Sequence, residues 1–311
     1  MAWFDTFDRL MEEKLNTVRV EKDAEMAKYT SFRIGGGAKR MAFPNKEEDV
    51  SLILDICRTA GAAWLVLGRG SNLLISDQGL DGVVLNMAEL NEIRLEENNT
   101  VYAQAGALLS RIAVQAQQAG LAGFAFAHGI PGSLGGAVVM NAGAYGGEMR
   151  QVVKEVTALF AGGVRTLSAE ELHFSYRHSI FDEEPGIVLS ARLALQPGDP
   201  DEIRAEMEDY MARRKASQPL EYPSAGSTFK RPEGYFAGTL IDRCGLKGTA
   251  VGGAEVSTKH AGFIINKNNA TFSDVMALIG VVQDTVFRTF GVELEPEVRI
   301  VQAMEDTEGV L

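Results

Sequence analysis

Three glycine clusters constrain what this chain can fold into more than any other feature of its sequence. They occupy residues 35–37, 68–72 and 129–147. Glycine lets backbone amides approach a pyrophosphate closely, and consecutive amides form anion-binding concavities. Arg33 and Arg69 stand beside two of the clusters and supply positive charge. One cluster alone is compatible with an ordinary tight turn, but three together favour a shared ligand.

The common nucleotide-binding fingerprints do not fit these loops. No G-x-x-x-x-G-K-S/T sequence occurs, so a P-loop is excluded. Residues 68–70 begin like the Rossmann motif G-x-G-x-x-G, but Leu73 stands where the third glycine is required. Residues 132–136 have a different spacing altogether. The residues alone therefore predict a phosphate-rich ligand that is held without a Rossmann fold.

The charge of the chain limits the partners that it can bind. Its formal net charge of −12 argues against a non-specific binder of nucleic acid or of anionic membranes, because either needs a basic surface. Residues 1–22 contain several acidic side chains and no apolar core, so they do not resemble a signal peptide. No apolar run is long enough to span a bilayer. We therefore expect a soluble, cytoplasmic protein.

The sequence predicts neither a metal site nor a disulfide. Its four histidines are scattered, without ligand spacing to a second cysteine or a carboxylate. Cys57 and Cys244 are the only cysteines, and two reduced thiols are the simplest interpretation. His128 and His260 lie next to sequence motifs, and we expect a structural role for both.

The apolar pattern alternates helices with short strands. It predicts helices over residues 3–11, 45–61, 108–119, 203–211 and 273–290, and strands over residues 64–67, 73–75, 156–160, 187–189 and 292–301. Asn45 and Ser273 are the expected helix caps, and Pro296 favours an edge position for the last strand. Residues 196–200 are rich in proline and glycine and are the best candidate for a domain boundary. This order of elements is typical of an α+β or α/β protein.

Six motifs along the chain carry a family resemblance. They are TSFRIGG (30–36), LGRGSNLL (67–74), GIPGSLGGAVVMNAGAYG (129–146), FSYRHSIF (174–181), SAGSTFK (224–230) and LEPEVR (294–299). In this order they closely resemble the UDP-N-acetylenolpyruvoylglucosamine reductases, which complete the synthesis of UDP-N-acetylmuramate for peptidoglycan. The interval between Arg177 and Ser227 is short, as in the shorter, second type of these enzymes.

The resemblance implies an α+β protein with an FAD-binding fold of the vanillyl-alcohol-oxidase (PCMH) type. An N-terminal helical segment (1–29) would precede an FAD-binding domain (30–197) made of two subdomains, about 30–85 and 86–197. A C-terminal α/β domain (198–311) would close over the substrate. FAD is the implied cofactor and NADPH the hydride donor. The implied protein is a monomer that binds NADPH and a UDP-sugar enolpyruvyl ether.

The resemblance also implies which residues act on the substrate. Arg177 would bind the substrate carboxylate and stabilise its enolate, because a guanidinium fork matches a carboxylate in two contacts. Ser227 matches the family's proton donor to the carbanion-like intermediate. Glu297 matches the catalytic glutamate, which would stay protonated and donate a hydrogen bond. Glu295 would face the same side of a regular strand, so only the motif favours Glu297. Without the family, Arg177 would be a surface ion pair and Ser227 a loop residue.

Binding residues for the cofactor and the substrates follow from the same motifs. Those expected to hold FAD are Arg33, Gly68, Arg69, Gly70, Ser71, Asn72, Gly132, Ser133, Gly135, Gly136, Asn141, Ala142 and Gly143. Those expected to contact the uridine diphosphate or the nicotinamide phosphate are Tyr176, Lys230, Lys259 and Arg299. Each of the last four residue types is more often a solvated surface residue.

Two other functions would use similar loops. An FAD oxidase of the same fold would pass electrons to oxygen, and a nucleotide-binding regulatory domain would catalyse nothing. Neither needs Arg177, Ser227 and Glu297 together, because an oxidase has no carbanion to protonate and a regulatory domain has no substrate to reduce. The presence of all three residues favours the reductase.

Overall fold

Helices and strands alternate along residues 2–303, the part of the chain that this computed structural model describes. The helices of this part are α1 (Trp3–Lys14), α2 (Glu47–Ala60), α3 (Leu109–Gln118), α4 (Leu134–Val139), α5 (Pro200–Ser217), α6 (Ala237–Arg243) and α7 (Phe272–Phe290). Its strands are β1 (Arg19–Glu25), β2 (Gly37–Phe43), β3 (Trp64–Leu67), β4 (Leu73–Ile75), β5 (Leu80–Asn86), β6 (Ile93–Glu96), β7 (Thr100–Gln104), β8 (Leu121–Ala122), β9 (Gly143–Ala144), β10 (Gly147–Glu148), β11 (Val153–Phe160), β12 (Gly163–Ser168), β13 (Gly186–Ala194), β14 (Gln196–Pro197), β15 (Ala250–Val251), β16 (Ala254–Val256), β17 (Ile264–Asn266) and β18 (Arg299–Val301).

Two larger sheets form the N-terminal part of the molecule. A mixed sheet has the order β1-β2-β5-β3, in which β1 is antiparallel to β2 and the other pairs are parallel. A second, antiparallel sheet has the order β12-β11-β13-β7-β6. One apolar core runs from Phe7 in α1 to Met207 in α5 and includes side chains of both sheets. This arrangement of elements agrees with the predicted α+β class.

The C-terminal part has a core of its own. Strands β15, β16 and β17 form an antiparallel sheet whose apolar side chains are buried with those of α6 and α7. Val275, Ile279, Val282 and Val286 recur at helical spacing along α7, and all four are buried in this core. The parallel pair β4–β18 joins the C-terminal part to the N-terminal part. The catalytic candidates therefore lie on segments from both sides of one junction.

The predicted helices are present, but the two predicted caps are wrong. The carboxylate of Asp49 accepts hydrogen bonds from the backbone amides that precede α2, including that of Asn45 (3.2 Å), so the side chain of Asn45 is not the cap. At α7 the cap is Thr271 rather than Ser273, because the Thr271 hydroxyl accepts the amide hydrogen bond of the first turn (3.1 Å). Gly61 ends α2 in the left-handed conformation, as predicted.

The predicted last strand is too long. Of residues 292–301, only β18 pairs with another strand. Pro296 makes a single isolated bridge to Phe229, since its nitrogen has no hydrogen to donate to a ladder. The backbone before Arg299 is therefore irregular, and strand alternation does not decide which glutamate faces the cavity described below.

Helix α5 packs with the first core, although it follows the predicted domain boundary. Ile203 and Met207 are buried in that core. Tyr210 stacks on Tyr145, with ring centroids 4.6 Å apart and planes nearly parallel. The division at residue 197 stays a prediction, and this packing favours a division at the C-terminal end of α5.

Both cysteines are free thiols. Burial raises the pKa of the Cys57 thiol to about 12, so this group stays protonated at neutral pH. Cys244 is partly exposed at the end of α6. Residues 2–303 include no cluster of His, Cys, Asp or Glu placed to hold a metal ion, and no helix with the length and apolar character needed to cross a bilayer.

Candidate functional site

A tight two-residue turn presents Arg177. Ser175 and His178 flank the turn and exchange backbone hydrogen bonds of 3.1 and 3.3 Å. Arg177 has a φ of 55°, in the left-handed region that residues other than glycine seldom adopt. Asn141 braces the turn, because its Nδ2 donates to the backbone oxygen of Ser175 (2.9 Å). Backbone strain held in place by its surroundings is frequent at functional positions.

Thr228 aligns the segments that carry Ser227 and Glu297. The Thr228 backbone oxygen accepts from the amide of Glu297 (2.8 Å), and its Oγ1 accepts from the amide of Ile264 (3.0 Å). Thr228 is buried, whereas Ser227 is exposed on a cavity wall. The Ser227 hydroxyl makes no hydrogen bond to any residue in the described range 2–303. It is therefore available to a bound molecule.

Arg177 and Glu297 meet in a cavity of about 620 Å³ between the two parts of the molecule. The Arg177 Nε donates to Glu297 Oε1 at 2.6 Å, and the Glu297 side chain is only 10% exposed. Ser227 lines the same cavity. Glu295 instead pairs with Lys230, and its side chain is 70% exposed. The structure thus brings the three predicted catalytic residues together and separates Glu295 from them.

The second and third glycine clusters border a different cavity, of about 830 Å³, and a narrow slot of about 90 Å³ beside it. Gly68 and Gly132 belong to the walls of both. Gly136 borders the slot, and a Cβ there would enter open space. The first cluster, residues 35–37, lines neither, because a Cβ at Gly36 would lie 2.3 Å from the backbone oxygen of Asp77. That cluster is instead packed against neighbouring backbone where β2 begins.

Most residues predicted to hold FAD line this cavity and its slot. They are Arg33, Gly68, Arg69, Gly70, Ser71, Asn72, Gly132, Ser133, Gly136 and Ala142. The remaining three lie behind the wall. A Cβ at Gly135 would lie 3.0 Å from the Ala105 Cβ, and Asn141 braces the Arg177 turn. Gly143 belongs to the β9–β10 hairpin, where a Cβ would lie 2.6 Å from a backbone oxygen.

Asn72 connects the slot to the cavity that Arg177, Ser227 and Glu297 line, which is called the catalytic cavity below. It lines the slot, and its Nδ2 donates to the backbone oxygen of Glu297 (3.0 Å). Its own backbone oxygen accepts from the amide of Arg299 (3.0 Å), where strand β4 begins to pair with β18. The loop that borders the slot therefore also fixes the backbone of the candidate catalytic glutamate.

Several arginines give the larger cavity a positive character that the whole chain lacks. Arg33, Arg69 and Arg214 line it, and within residues 2–303 none of them forms an ion pair. Arg214 donates from Nη1 to the backbone oxygen of Gly129, and desolvation lowers the pKa of its guanidinium. Arginines without carboxylate partners, beside glycine loops, suit an anionic ligand such as a diphosphate.

The four predicted substrate contacts separate into two groups. Tyr176 and Lys259 line the catalytic cavity with Arg177. Lys230 lies outside it, and its Nζ is 2.5 Å from Glu295 Oε1. Arg299 lines the slot on the glycine side and pairs with Asp182 (3.1 Å).

Sequence reasoning missed six cations that line the cavities. Arg231, Arg243 and Lys247 border the catalytic cavity, and Arg19, Lys28 and Arg214 border the glycine-lined one. Arg231 directly follows the SAGSTFK motif, and this position next to a motif could have marked it as a candidate. Arg214 follows Met207 by seven positions, a spacing that places both on one face of α5.

Burial favours the neutral form of both histidines that lie next to motifs, His128 and His260. His260 lines the catalytic cavity, where burial lowers its pKa, and its Nδ1 accepts from the amide of Gly262 (3.1 Å). Desolvation likewise lowers the pKa of His128. A neutral ring that accepts a backbone hydrogen bond supports the structural role expected for His260.

Comparisons with known proteins agree with this arrangement. Residues 218–301 match the family described as UDP-N-acetylenolpyruvoylglucosamine reductase, C-terminal domain, and residues 38–168 match an FAD binding domain. A UDP-N-acetylenolpyruvoylglucosamine reductase of Clostridium novyi (strain NT) is 50% identical over 295 residues, which cover 94% of this chain and 96% of that protein. The chain belongs to the UDP-N-acetylenolpyruvoylglucosamine reductase family.

Other members of this reductase family give the same result. A reductase of Geobacillus kaustophilus (strain HTA426) is 49% identical over 283 residues, covering 91% of this chain and 93% of that protein. The crystal structure of the Thermus caldophilus reductase superposes with a TM-score of 0.78 at 35% identity, and covers 91% of this chain and 98% of that one. The family resemblance, the FAD-binding fold and FAD as the cofactor are thereby confirmed.

Substitution of Gly70 tests the glycine-loop geometry. Gly70 has a φ of 58°, and a Cβ would lie 2.3 Å from the backbone oxygen of Tyr29. We expect Gly70→Ala to lower the free energy of unfolding by about 2 kcal/mol or more and to weaken FAD binding. The control is Gly280→Ala within α7, where no atom lies within 4 Å of the added Cβ and about 0.5–1 kcal/mol of stabilisation is expected. Urea unfolding and flavin fluorescence titration measure both effects, and equal behaviour of the two variants would contradict the prediction.

Proposed function

We propose that this chain catalyses the NADPH-dependent reduction of UDP-N-acetylglucosamine enolpyruvate to UDP-N-acetylmuramate, a step in peptidoglycan precursor synthesis. The observation that carries the proposal is the meeting of Arg177 and Glu297 at 2.6 Å in a cavity that Ser227 also lines. The reductases named above support the same substrate and reaction.

The glycine-lined cavity and its slot are the proposed FAD site. Backbone amides of residues 68–72, Ser133 and Gly136 would approach the pyrophosphate, and Arg33, Arg69 and Arg214 would supply charge. Bound there, FAD would supply hydride-transfer chemistry between NADPH and the distal vinyl carbon of the substrate. Asn72 lines the slot and contacts the backbone of Glu297, which supports a flavin site next to the candidate catalytic residues.

Arg177 is proposed to bind the carboxylate of the enolpyruvyl group. Hydride addition to the vinyl group develops negative charge on the carbon beside that carboxylate, and the charge spreads onto the carboxylate oxygens. A fixed guanidinium stabilises this enolate more than it stabilises the ground state. The strained turn at Arg177 restricts its backbone, so little reorganisation is needed when charge develops.

Ser227 is proposed to donate the proton that completes the reduction. The hydride forms the new C–H bond at the distal carbon, and the Ser227 hydroxyl would protonate the carbon beside the carboxylate. A serine hydroxyl is a weak acid, but its partner here is a carbanion-like centre and a far stronger base than water. Its exposure on the cavity wall lets solvent return the proton to it.

Glu297 is proposed to donate a hydrogen bond to the enolate in its protonated form. In the substrate-free structure its Oε1 instead accepts from Arg177. Binding would bring the substrate carboxylate to the same guanidinium, and two carboxylates at close range favour protonation of one of them. A neutral acid can then stabilise the enolate without adding a second negative charge.

Tyr176, Lys259 and the unpredicted Arg231 are the proposed contacts for the uridine diphosphate, since all three line the catalytic cavity. Lys230 and Arg299 remain weaker candidates, because neither lines that cavity and each makes a close ion pair, at 2.5 and 3.1 Å. We further propose that the enzyme is a cytoplasmic monomer with an FAD-binding part and a separate C-terminal substrate part, acting only on small molecules.

Two half-reactions test the proposed function directly. The purified protein should show an oxidised-flavin spectrum that NADPH bleaches under anaerobic conditions. Addition of enolpyruvyl-UDP-N-acetylglucosamine should then restore the colour and yield UDP-N-acetylmuramate. Colour that returns only when oxygen is admitted would support an FAD oxidase instead, and the proposed function would be rejected.

A further inference from the structure

Asp182 contacts both chain segments that carry the Arg177–Glu297 pair. Its Oδ2 lies 3.1 Å from His178 Nδ1, and His178 directly follows Arg177. Its Oδ1 lies 3.1 Å from Arg299 Nη2, and Arg299 is two residues beyond Glu297. One carboxylate therefore bridges two segments that are 120 residues apart at the pair itself.

Three anchors described above each hold one of these two segments only. Asn141 braces the Arg177 turn through the backbone of Ser175. Thr228 and Asn72 hold the backbone of Glu297. None of these contacts sets the distance between the turn and the glutamate, whereas a carboxylate bonded to both segments does.

The direct Arg177–Glu297 contact cannot set that distance throughout the reaction. If Arg177 binds the substrate carboxylate, part of its guanidinium fork leaves Glu297 for the substrate. The bridge through Asp182 involves neither of the two reacting side chains, and neither Asp182 nor Arg299 lines the cavity that the enolpyruvyl group would enter, so the bridge persists when that group binds. It is then a side-chain tie between the two segments that binding does not compete for.

We propose that Asp182 is a positioning residue that holds the Arg177 turn in register with Glu297 for the reduction of the enolpyruvyl group. The inference rests on the proposed function and adds a residue to it that touches neither substrate nor cofactor. Arg177 and Glu297 act on the same enolate from different segments, so their relative placement sets how well the charge is stabilised. A displacement near 1 Å can cost about a hundredfold in rate.

Because the bridge is partly exposed to solvent, its loss should affect the reaction rate more than the stability of the fold. The side chains of Asp182, Arg299 and His178 are 33%, 28% and 34% exposed. Half-exposed ion pairs of this kind contribute little to global stability, because solvent screens them. Loss of the bridge should therefore slow the chemistry while the fold remains intact.

The test is Asp182→Asn, which keeps the shape of the side chain but leaves one acceptor oxygen, where Arg299 uses one oxygen and His178 and the Ser179 amide share the other. We expect the return of flavin colour with the enolpyruvyl substrate to slow about tenfold or more, with KM changed less than kcat. Bleaching by NADPH should keep its wild-type rate. The affinity for UDP-N-acetylmuramate, measured by calorimetry, and the melting temperature should stay close to wild type.

Two further variants make the result specific. Glu184→Gln is the matched control, since it neutralises a carboxylate of the same loop that pairs only with the exposed Arg165 (2.8 Å). It should behave as wild type. Asp182→Glu keeps two acceptor oxygens and should recover much of the lost rate.

Wild-type rates in Asp182→Asn would overturn the proposal, and so would an equal loss in both half-reactions or in melting temperature, which would indicate a merely structural role. Equal losses in Asp182→Asn and Asp182→Glu would also contradict it. A wild-type enzyme whose colour does not return would overturn the proposed function and the role of Asp182 with it.

Discussion

Ser227→Ala is expected to leave the bleaching of the flavin by NADPH nearly unchanged and to slow the return of colour about 10²–10⁴-fold. That range is typical of removing a general acid from a positioned site. The Ser227 hydroxyl makes no hydrogen bond within the described chain, so its removal breaks no internal contact. Thr228, which does hold neighbouring backbone, is left in place. The substitution therefore tests proton donation rather than folding.

Stopped-flow absorbance measures the two half-reactions of this variant separately. Ser217→Ala is the matched control, because its hydroxyl sits on the exposed end of α5 and bonds only to the backbone oxygen of Arg213 (2.8 Å). Deuterium from solvent should appear at the carbon beside the carboxylate in the wild-type product. Loss of both half-reactions to the same extent in Ser227→Ala would mean that the assigned role is wrong.

The second large effect is expected for Arg177→Lys. Lysine keeps the positive charge, so Glu297 still has a cationic neighbour. The lysine ammonium cannot, however, make the two parallel contacts of a guanidinium. We expect the return of colour to slow about 10²–10³-fold, equivalent to about 2.7–4 kcal/mol of transition-state stabilisation. The left-handed φ of 55° at position 177 is equally unfavourable for lysine and for arginine, so the substitution does not change the backbone strain.

Arg165→Lys is the control for that substitution. Arg165 pairs with Glu184 on the surface, where the exchange should change neither half-reaction. In Arg177→Lys, KM for the enolpyruvyl substrate should rise and flavin bleaching should be unaffected. A variant that kept the wild-type rate with the substrate would remove Arg177 from the mechanism.

Local periodicity made most of the fold predictable. The faces of α2 and α7 and the strand β3 follow directly from the spacing of apolar residues, and their positions agree with the structure. The caps failed because several polar residues near each start compete for the same amides. The side chains of Asp49 and Thr271 accept these amide hydrogen bonds because of where they are placed, which residue spacing alone does not reveal.

The site was less predictable because its residues converge from distant segments. From composition and spacing, Arg177 and Ser227 are an ordinary surface arginine and an ordinary loop serine, and only the family motifs raised them above that. The choice of Glu297 over Glu295 also depended on the motif, and the irregular backbone around Pro296 explains why alternation could not decide it. Arg214 and Asp182 carried no motif, since their positions matter only once α5 and β18 are packed.

The pairing of β4 with β18 also has a consequence for how the enzyme comes into being during translation. The first core ends at Met207, so the glycine loops of the proposed flavin site can fold while the C-terminal part is still being synthesised, but residues 219–224, Phe263 and Arg299 complete the walls of that site. Strand β4 can pair only after β18 has been synthesised, more than two hundred residues later. Glu297 lies just before β18 and takes its place next to Asn72 at the same time. A nascent chain can thus fold its glycine loops early, but the closed cofactor pocket and the set of candidate catalytic residues are completed together when the C-terminal part is added.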